Sequence, residues 1–209
     1  MTVRTPLPRS FFTVNACTLA KNCLGKILVL ETGEGRMAGV ITETEAYMGV
    51  IDRASHAYGG RITARNRTMY KEGGFAYVYR IYGLYHCLNF TAAEEGNPEA
   101  VLIRGLFPTE GIGQMAANRV RNGRAKSYPD PADMTRKQLE MLTAGPGRLC
   151  TALGIDTAFD GMDLTEGRLY LADGGIRVDS IRALPRVGID YAGEDRDKPW
   201  RFVASQFRE

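Results

Sequence analysis

The feature that most constrains this chain is a dense stretch between Glu43 and Asn89. It contains both histidines, His56 and His86, and seven of the ten tyrosines of the 209-residue chain. Carboxylates, arginines, aromatic residues and glycines are interleaved here more closely than folding alone requires. We therefore expect this stretch to carry the functional site and the rest of the chain to act as its scaffold.

Length and composition fit one folded domain. A chain of 209 residues suits a single core with insertions, and a hydrophobic fraction of 44% argues against global disorder. No apolar run approaches the roughly 20 residues that span a bilayer, and the first residues contain no continuous apolar segment typical of a secretory signal. We expect one domain over residues 1–209, located in the cytoplasm, with no membrane partner.

The four cysteines predict free thiols rather than a metal centre. They are Cys17, Cys23, Cys87 and Cys150, no two of them form a CxxC pair, and only two histidines are present. We expect buried thiols in a reducing compartment. The net charge of +3 permits a polyanionic partner without requiring one.

The order of apolar and turn-forming segments predicts a mixed α/β fold. Strands are predicted at Lys26–Glu31, Arg36–Tyr47, Glu99–Phe107, Arg168–Leu171, Ile176–Val178, Arg182–Val187 and Trp200–Ala204, and a hairpin at Phe75–Thr91. Helices are predicted at Thr13–Leu24, Thr109–Arg121, Thr135–Leu142 and from Pro146 to near Gly154. Between these elements, Met48–Lys71 is long and irregular, which often indicates function. We predict one mixed α/β (α+β) domain with a mostly antiparallel sheet.

Strand periodicity places Glu43, Glu45 and Tyr47 on one face of the second strand. A carboxylate that enters a cleft can act as a general base for water, which makes Glu45 the first catalytic candidate. Alternatively, Glu45 is an ordinary solvent-exposed residue of the strand. The separation of Glu43 and Glu45, roughly 6–7 Å along the strand, also fits an inverting glycosidase pair. Two acids on one strand are too common to decide among these interpretations.

The aromatic residues allow two interpretations as well. Tyr47, His56 and Tyr79 either wall a flat aromatic pocket or simply pack in the core. Tyr82 is predicted at the hairpin tip, where it either inserts into a partner or folds back onto the domain. Alternation along the hairpin strand places Tyr79 and Tyr82 on opposite faces.

Two basic runs either contact phosphates or form solvated surfaces. The first run is Arg61, Arg65, Arg67 and Lys71, and the second is Arg119, Arg121, Arg124 and Lys126. A glycine-rich turn at residues 145–148 opens a helix whose N–H groups could hold a phosphate, although it lacks the spacing of a P-loop.

An ordered set of motifs covers most of the chain. The motifs are ETEAYMG at 43–49, DRASHAYGG at 52–60, RNRTMY at 65–70, AYVYRIYGLYHCLN at 76–89, AVLIRGL at 100–106, GPGRLCTALGI at 145–155 and DKPWRFV at 197–203. Together they resemble the alkyladenine (3-methyladenine) DNA glycosylase family, in a bacterial form. Each motif alone is modest, but their common order is specific.

The resemblance implies a single mixed α/β domain with a curved sheet, surrounding helices and a protruding hairpin that probes the minor groove. It implies base-excision repair by flipping a damaged purine out of the duplex and hydrolysing its glycosidic bond. By matching position, Glu45 resembles the general base, and Arg104 resembles the ligand that places the water or the adjacent phosphate. Tyr47, His56 and Tyr79 resemble the base sandwich, Asn89 the pocket floor, and Tyr82 the intercalating residue.

The resemblance also implies double-stranded DNA with damaged purines as the partner, monomeric action, and no metal or cofactor. No lysine lies in the ETEAY or YVYRIYG motif, so we predict a monofunctional hydrolase that leaves an abasic site. The sequence does not rank 3-methyladenine, 7-methylguanine, hypoxanthine and ethenoadenine as substrates. A damage-binding module without catalysis, and a hydrolase of small nucleosides or sugars, remain as alternatives.

Two positions depart from the family pattern. Gly73 stands where the family usually has proline, and Leu84 stands where methionine is common. We expect the first departure to loosen the loop that enters the hairpin, and both to affect substrate breadth more than the reaction.

Overall fold

An antiparallel sheet of eight strands forms the centre of the computed structural model, which describes residues 4–207. The strands are β1 (Ile27–Thr32), β2 (Gly35–Tyr47), β3 (Ala76–Ile81), β4 (Tyr85–Ala92), β5 (Glu99–Glu110), β6 (Leu169–Ala172), β7 (Ile181–Leu184) and β8 (Arg201–Ala204). Six of them follow the order β3-β4-β5-β2-β1-β6, and β8 pairs with both β2 and β7. The predicted mixed α/β fold with a curved, antiparallel sheet is confirmed.

The long strand β2 organises the sheet because it has three partners. It pairs with β5 along most of its length, with β1 through residues 35–40, and with β8 through residues 43–45. Its register against β5 shifts on either side of Glu43. Such bulges bend a strand and re-aim its side chains, and here the irregularity lies next to Glu45.

Four α-helices pack against the sheet. They are α1 (Ala16–Cys23), α2 (Ile112–Arg121), α3 (Arg136–Thr143) and α4 (Pro146–Leu153). Helix α1 packs on β2, α4 packs on β4, and α2, α3 and α4 contact one another. The apolar faces of α1, α2 and α4 close the main core, in which Leu19 and Leu149 pack with the sheet residues Phe90 and Ile103. Leu142 of α3 packs in a separate cluster with Ala116 of α2.

Local capping interactions determine where the helices begin, and the predicted first residues of α1, α2 and α3 were wrong. Helix α1 begins at Ala16 rather than Thr13, because the Asn15 side chain accepts a hydrogen bond from the Thr18 N–H at 3.0 Å and caps the helix there. Helix α2 begins after Gly111, whose φ of 72° separates it from β5. For α3 the predicted start at Thr135 is one residue early, since Thr135 is the N-cap and the helix begins at Arg136; for α4 the predicted first residue, Pro146, is confirmed.

Two strands predicted near the C-terminal end differ from the strands in the structure. The strand predicted at Ile176–Val178 is absent, since residues 174–180 form no regular structure, and Ile176 packs instead against an apolar cluster that includes Ile27. Strand β7 ends at Leu184 rather than at Val187. Pro185 follows it directly and has no N–H to donate to a partner strand.

The predicted hairpin is confirmed. Strands β3 and β4 pair from Ala76 opposite Phe90 to Ile81 opposite Tyr85. The tip turns tightly, with Tyr82 at φ 50° and Gly83 at φ 66°, both in the left-handed region. Because β3 ends at Ile81, Tyr82 lies outside the strand and strand alternation does not apply to it. The turn sets the direction of the Tyr82 side chain.

Gly73 is closely held by its neighbours. Its N–H donates to the Ala93 carbonyl at 2.8 Å, and its carbonyl accepts from Arg9 Nη1 at 3.0 Å. A Cβ atom at this position would lie 2.3 Å from the carbonyl oxygen of Phe12. The loop entering the hairpin is therefore anchored by the N-terminal segment, contrary to the expectation of a looser loop.

The four cysteines are free thiols, as predicted, and Cys23, Cys87 and Cys150 are buried, whereas Cys17 is only half-buried. Within residues 4–207, no helix combines the length and the apolar character needed to cross a membrane.

Candidate active site

A cavity of about 510 Å³ opens beside the hairpin, between the end of β2 and the loop after β7. Its volume is typical of a site for a small molecule or a single base. Seven residues singled out from the sequence line it: Tyr47, His56, Arg65, Tyr79, Tyr82, Asn89 and Arg104. A larger cavity of about 740 Å³ between β5 and α3 contains none of them, so the chemistry-bearing residues converge on the smaller one.

Glu45 lies directly behind the wall of this cavity and is completely buried. One carboxylate oxygen accepts the Val187 N–H at 2.8 Å, and the other accepts the Tyr47 hydroxyl at 3.0 Å. Burial raises the pKa of Glu45 above its usual value, while Arg104 and these two hydrogen bonds oppose the rise. The interpretation of Glu45 as a solvated strand residue is therefore wrong.

Arg104 of β5 joins the two acids that strand alternation predicted on one face. Its Nε lies 3.0 Å from Glu43 Oε1 and 3.5 Å from Glu45 Oε1. Glu43 also pairs with Arg201 Nη1 at 3.0 Å. Glu43 thus forms ion pairs with two arginines. This arrangement argues against Glu43 as the second catalytic acid of a glycosidase pair.

Aromatic rings form one side of the cavity. The His56 and Tyr79 ring centroids are 4.6 Å apart at 72°, and those of Tyr77 and Tyr79 are 5.2 Å apart at 40°. The Arg65 guanidinium carbon lies 5.0 Å from the Tyr79 ring centroid, in cation–π contact. The predicted aromatic pocket therefore exists, with Tyr77 as an additional member.

His56 is held as a neutral ring in this wall. Its Nδ1 lies 2.7 Å from the Tyr77 hydroxyl. The residue as a whole is exposed, but its ring is partly shielded from water by the aromatic wall. This desolvation, followed by the positive charge of Arg65, lowers the pKa of His56 to about 4. Since the imidazole is uncharged near pH 7, it adds no cation to the cavity.

Asn89 lies at the inner end of the hairpin and is 2% exposed. Its amide nitrogen donates to the Tyr77 carbonyl at 3.0 Å. Leu102, its partner on β5, also lines the cavity. The amide is thereby fixed at the position expected for the pocket floor.

Tyr82 projects from the hairpin tip with 88% of its surface exposed. The adjacent Leu84 is 58% exposed. Tyr82 does not fold into the apolar core, so the fold-back interpretation is wrong. A large aromatic side chain at an exposed turn is free to contact a partner.

The two basic runs differ in structure. Arg61, Arg65, Arg67 and Lys71 are all exposed, and of these only Arg65 lines the cavity. In the second run, Arg119 is buried and donates to the Tyr128 hydroxyl at 2.8 Å. Arg119 is therefore a structural residue rather than a phosphate ligand.

Comparisons with known proteins agree on one family. The family model described as "Methylpurine-DNA glycosylase (MPG)" matches residues 10–208. The chain belongs to the methylpurine-DNA glycosylase family. Curated relatives named "Putative 3-methyladenine DNA glycosylase" include proteins of Desulfitobacterium hafniense, 45% identical, and Clostridium novyi, 42% identical, each aligned over 94% of this chain and 93% of the relative. A Methanocella arvoryzae relative is 45% identical over 94% of this chain and 90% of its own length.

Membership in the methylpurine-DNA glycosylase family confirms the expected enzyme class. The chain is a DNA-repair hydrolase that acts on N-glycosyl bonds, and DNA is its partner. The buried Glu45 carboxylate lies next to the aromatic cavity that several of the predicted site residues line. Within residues 4–207, no group of three or more histidine, cysteine or acidic side chains could hold a metal ion.

Sequence reasoning missed three residues of the candidate site. Tyr77 orients His56, Val187 donates its N–H to Glu45, and Arg186 lies in cation–π contact with Tyr47 at 4.7 Å. Tyr77 shares the strand alternation of Tyr79, which could have indicated it. Val187 and Arg186 lie in a loop about 140 positions from β2, and no local pattern connects them with Glu45.

Proposed function

We propose that this chain excises alkylated purines from double-stranded DNA and leaves an abasic site, acting as a monomer in the bacterial cytoplasm. The observation that carries the proposal is the buried Glu45 carboxylate, held by Val187, Tyr47 and Arg104 behind the wall of an aromatic cavity. A carboxylate in this setting suits the activation of a water molecule next to a bound base.

The aromatic wall favours a cationic purine. Alkylation at N3 or N7 gives the purine a positive charge and weakens its glycosidic bond, so the damage itself supplies much of the leaving-group activation. Tyrosine faces attract such a cation by about 0.5–2 kcal/mol per contact. A neutral His56, with a pKa of about 4, avoids the repulsion that an imidazolium would add.

Hydrolysis then requires a nucleophile and a base. In the proposed step, Glu45 accepts a proton from a water molecule while the water oxygen attacks C1′ of the sugar. The bond between C1′ and the purine nitrogen breaks, and its electron pair leaves with the purine. Arg104 lines the cavity with its Nε held by Glu43, which supports a role in placing the water or the adjacent phosphate.

In this proposal Asn89 selects the base. The exposed residues Arg61, Arg65, Arg67 and Lys71 contact the DNA backbone. The Asn89 amide is fixed by its bond to Tyr77, so it discriminates against the exocyclic 2-amino group of normal guanine. 7-Methylguanine carries the same group, but its weakened glycosidic bond offsets that penalty. Damaged pairs also cost less to open than normal ones, which adds selectivity before the chemical step.

The test of the proposed function is release of free base from a panel of duplexes. Each duplex would contain one 3-methyladenine, 7-methylguanine, hypoxanthine or ethenoadenine, and the liberated base would be measured by chromatography. We expect release from the cationic lesions at least. Tight lesion binding without release would instead support a binding module, and turnover of free nucleosides without DNA would support a nucleoside hydrolase.

Replacing Tyr82 with alanine should weaken binding to a duplex that contains an abasic analogue. In the proposed complex the ring fills the gap left by the flipped nucleotide, and base–aromatic stacking contributes about 1–3 kcal/mol. The dissociation constant should therefore rise by roughly 5- to 150-fold, measured by fluorescence anisotropy. Tyr82→Phe keeps the ring and should bind like the wild type; equal affinity of the alanine variant would remove Tyr82 from this role.

Borohydride should trap no covalent complex between the protein and lesion DNA. A Schiff base needs an amine next to C1′, and no lysine of residues 4–207 lines the cavity. Incubation with lesion duplex and sodium borohydride, followed by denaturing electrophoresis, measures this directly. A shifted protein–DNA band would show a lyase step and contradict the monofunctional mechanism.

A further inference from the structure

Arg186 is a buried arginine in the loop that follows β7. Its side chain and that of Asp52 are both fully buried, and the two form a bidentate pair with Nη2 to Oδ1 at 2.8 Å and Nη1 to Oδ2 at 2.5 Å. The pair joins the C-terminal loop to the irregular segment that follows β2. The next residue, Val187, is the one whose N–H binds Glu45.

The guanidinium of Arg186 also touches the end of β2 that carries the candidate site. Nη1 donates to the Ala46 carbonyl at 3.0 Å, and the guanidinium carbon lies 4.7 Å from the Tyr47 ring centroid. Trp200 contacts the same guanidinium at 4.9 Å. One side chain therefore contacts the two residues that follow Glu45 and fixes the loop that hydrogen-bonds Glu45.

Stability alone is a weak reason for this arrangement. A buried ion pair is often no more stabilising than a well-packed apolar pair of the same volume, because both charges lose their hydration. Moreover, the buried Arg186 Nε has no hydrogen-bond acceptor among the described residues, which carries a further free-energy cost. The contacts with Ala46, Tyr47 and the Val187 loop indicate a different purpose.

We propose that Arg186 is a positioning residue for base excision, which holds the Val187 N–H on Glu45 and the Tyr47 ring against the cavity. The inference rests on the proposed function, because it assigns a purpose to the geometry around Glu45. Arg186 does not line the cavity, so it acts through Glu45 and Tyr47 and not on the purine.

The proposal predicts a change in pH dependence. Nearby cations and the Val187 N–H oppose the rise that burial causes in the pKa of Glu45, and loss of Arg186 removes one cation and loosens that hydrogen bond. Glu45 would then protonate at a higher pH, so the acidic limb of the pH–rate profile would move upward. The other titratable or charged groups around Glu45 are Arg104 on β5, Glu43 and Tyr47 on β2, and Cys87 on β4, with Arg201 of β8 paired to Glu43.

The decisive variant replaces both partners, as Asp52→Asn with Arg186→Met, so that no buried charge is left alone. The probes are a 7-methylguanine duplex for single-turnover base release and an abasic-analogue duplex for binding. We expect release to fall about 100-fold and binding to stay within about threefold of the wild type. Because Asp52 and Arg186 leave together as a neutral pair, we expect the acidic limb to move to higher pH through the loosened Val187 N–H bond to Glu45. The single variant Arg186→Lys keeps a positive charge at this position but lacks the planar guanidinium fork. The acidic limb of this variant should therefore lie at the wild-type position, and its rate should fall between those of the wild type and the double variant.

Arg119→Met is the matched control, because Arg119 is buried but contacts Tyr128 far from the cavity. It should lower thermal stability and leave the pH profile unchanged. A folded double variant with the wild-type rate and profile would overturn the inference and leave the proposed function intact. If the double variant does not fold, Arg186→Lys decides alone, and a wild-type rate would overturn the inference. Absence of base release by the wild type on every lesion would overturn the proposed function itself, and the inference with it.

Discussion

Glu45→Gln should abolish release of damaged purines while leaving lesion binding intact. General-base catalysis contributes about 10²- to 10⁴-fold to the rate, and glutamine cannot accept the proton from water. Binding should persist, because the residues that wall the cavity, Tyr47, His56 and Tyr79, are unchanged. Single-turnover release and anisotropy on the same duplex would separate the two effects.

The fold of this variant should also be retained. Glutamine has nearly the shape of glutamate, and its carbonyl oxygen can still accept the Val187 N–H. Arg104 keeps its closer partner, Glu43, at 3.0 Å, so no buried cation is left unpaired. Glu140→Gln is the matched control, since Glu140 pairs with Arg136 on α3, away from the cavity, and it should release base at the wild-type rate.

The pH profile gives a second measurement on Glu45. A general base works only when deprotonated, so release should fall as the pH drops through the pKa of Glu45. Because burial raises that pKa, the fall should begin closer to neutral pH than it would for an exposed glutamate. The acidic limb should vanish in Glu45→Gln. Full activity in that variant, or an unchanged limb, would remove Glu45 from the role of general base.

Gly73→Pro should destabilise the protein. The change removes the N–H that donates to Ala93, and its Cβ would lie 2.3 Å from the Phe12 carbonyl oxygen. A lost buried hydrogen bond and overpacking each cost about 1–3 kcal/mol. We therefore expect the free energy of unfolding to fall by about 3–5 kcal/mol, measured by urea denaturation.

Two further variants make the Gly73 prediction specific. Gly73→Ala keeps the N–H and should lose less stability than the proline variant. Gly33 has open space around it, so Gly33→Ala should change stability by less than about 1 kcal/mol. A proline variant as stable as the wild type would mean that the N-terminal segment around Phe12 moves aside without cost.

The sequence predicted individual elements well where local rules control them. Alternation correctly placed Glu43 and Glu45 together, because side chains on a strand point to opposite faces in turn. The hairpin and its tip followed from turn residues, and Thr135 and Pro146 marked helix starts. Local rules failed where a neighbour supplied a better cap, as Asn15 did for α1.

The burial of Glu45 was not predictable from the strand itself. Alternation shows which residues share a face, but it does not show whether that face meets water. In the fold, β5 and β8 flank this part of β2 on both edges, and Arg104 and the Val187 loop cover the acid. The basic run that includes Arg119 illustrates the same limit, since charge alone did not reveal that Arg119 packs against Tyr128.

The sequence by itself therefore predicted most of the elements, the family and seven of the residues that line the cavity, because motifs and periodicity are properties of neighbouring positions. Only the tertiary structure brought Val187 to Glu45 across 142 positions, and Arg186 to Asp52 across 134. These contacts depend on how β2 bends near Glu43 and how the loop after β7 packs on it. Such long-range packing sets the environment of the carboxylate, and thus the chemistry that it can perform.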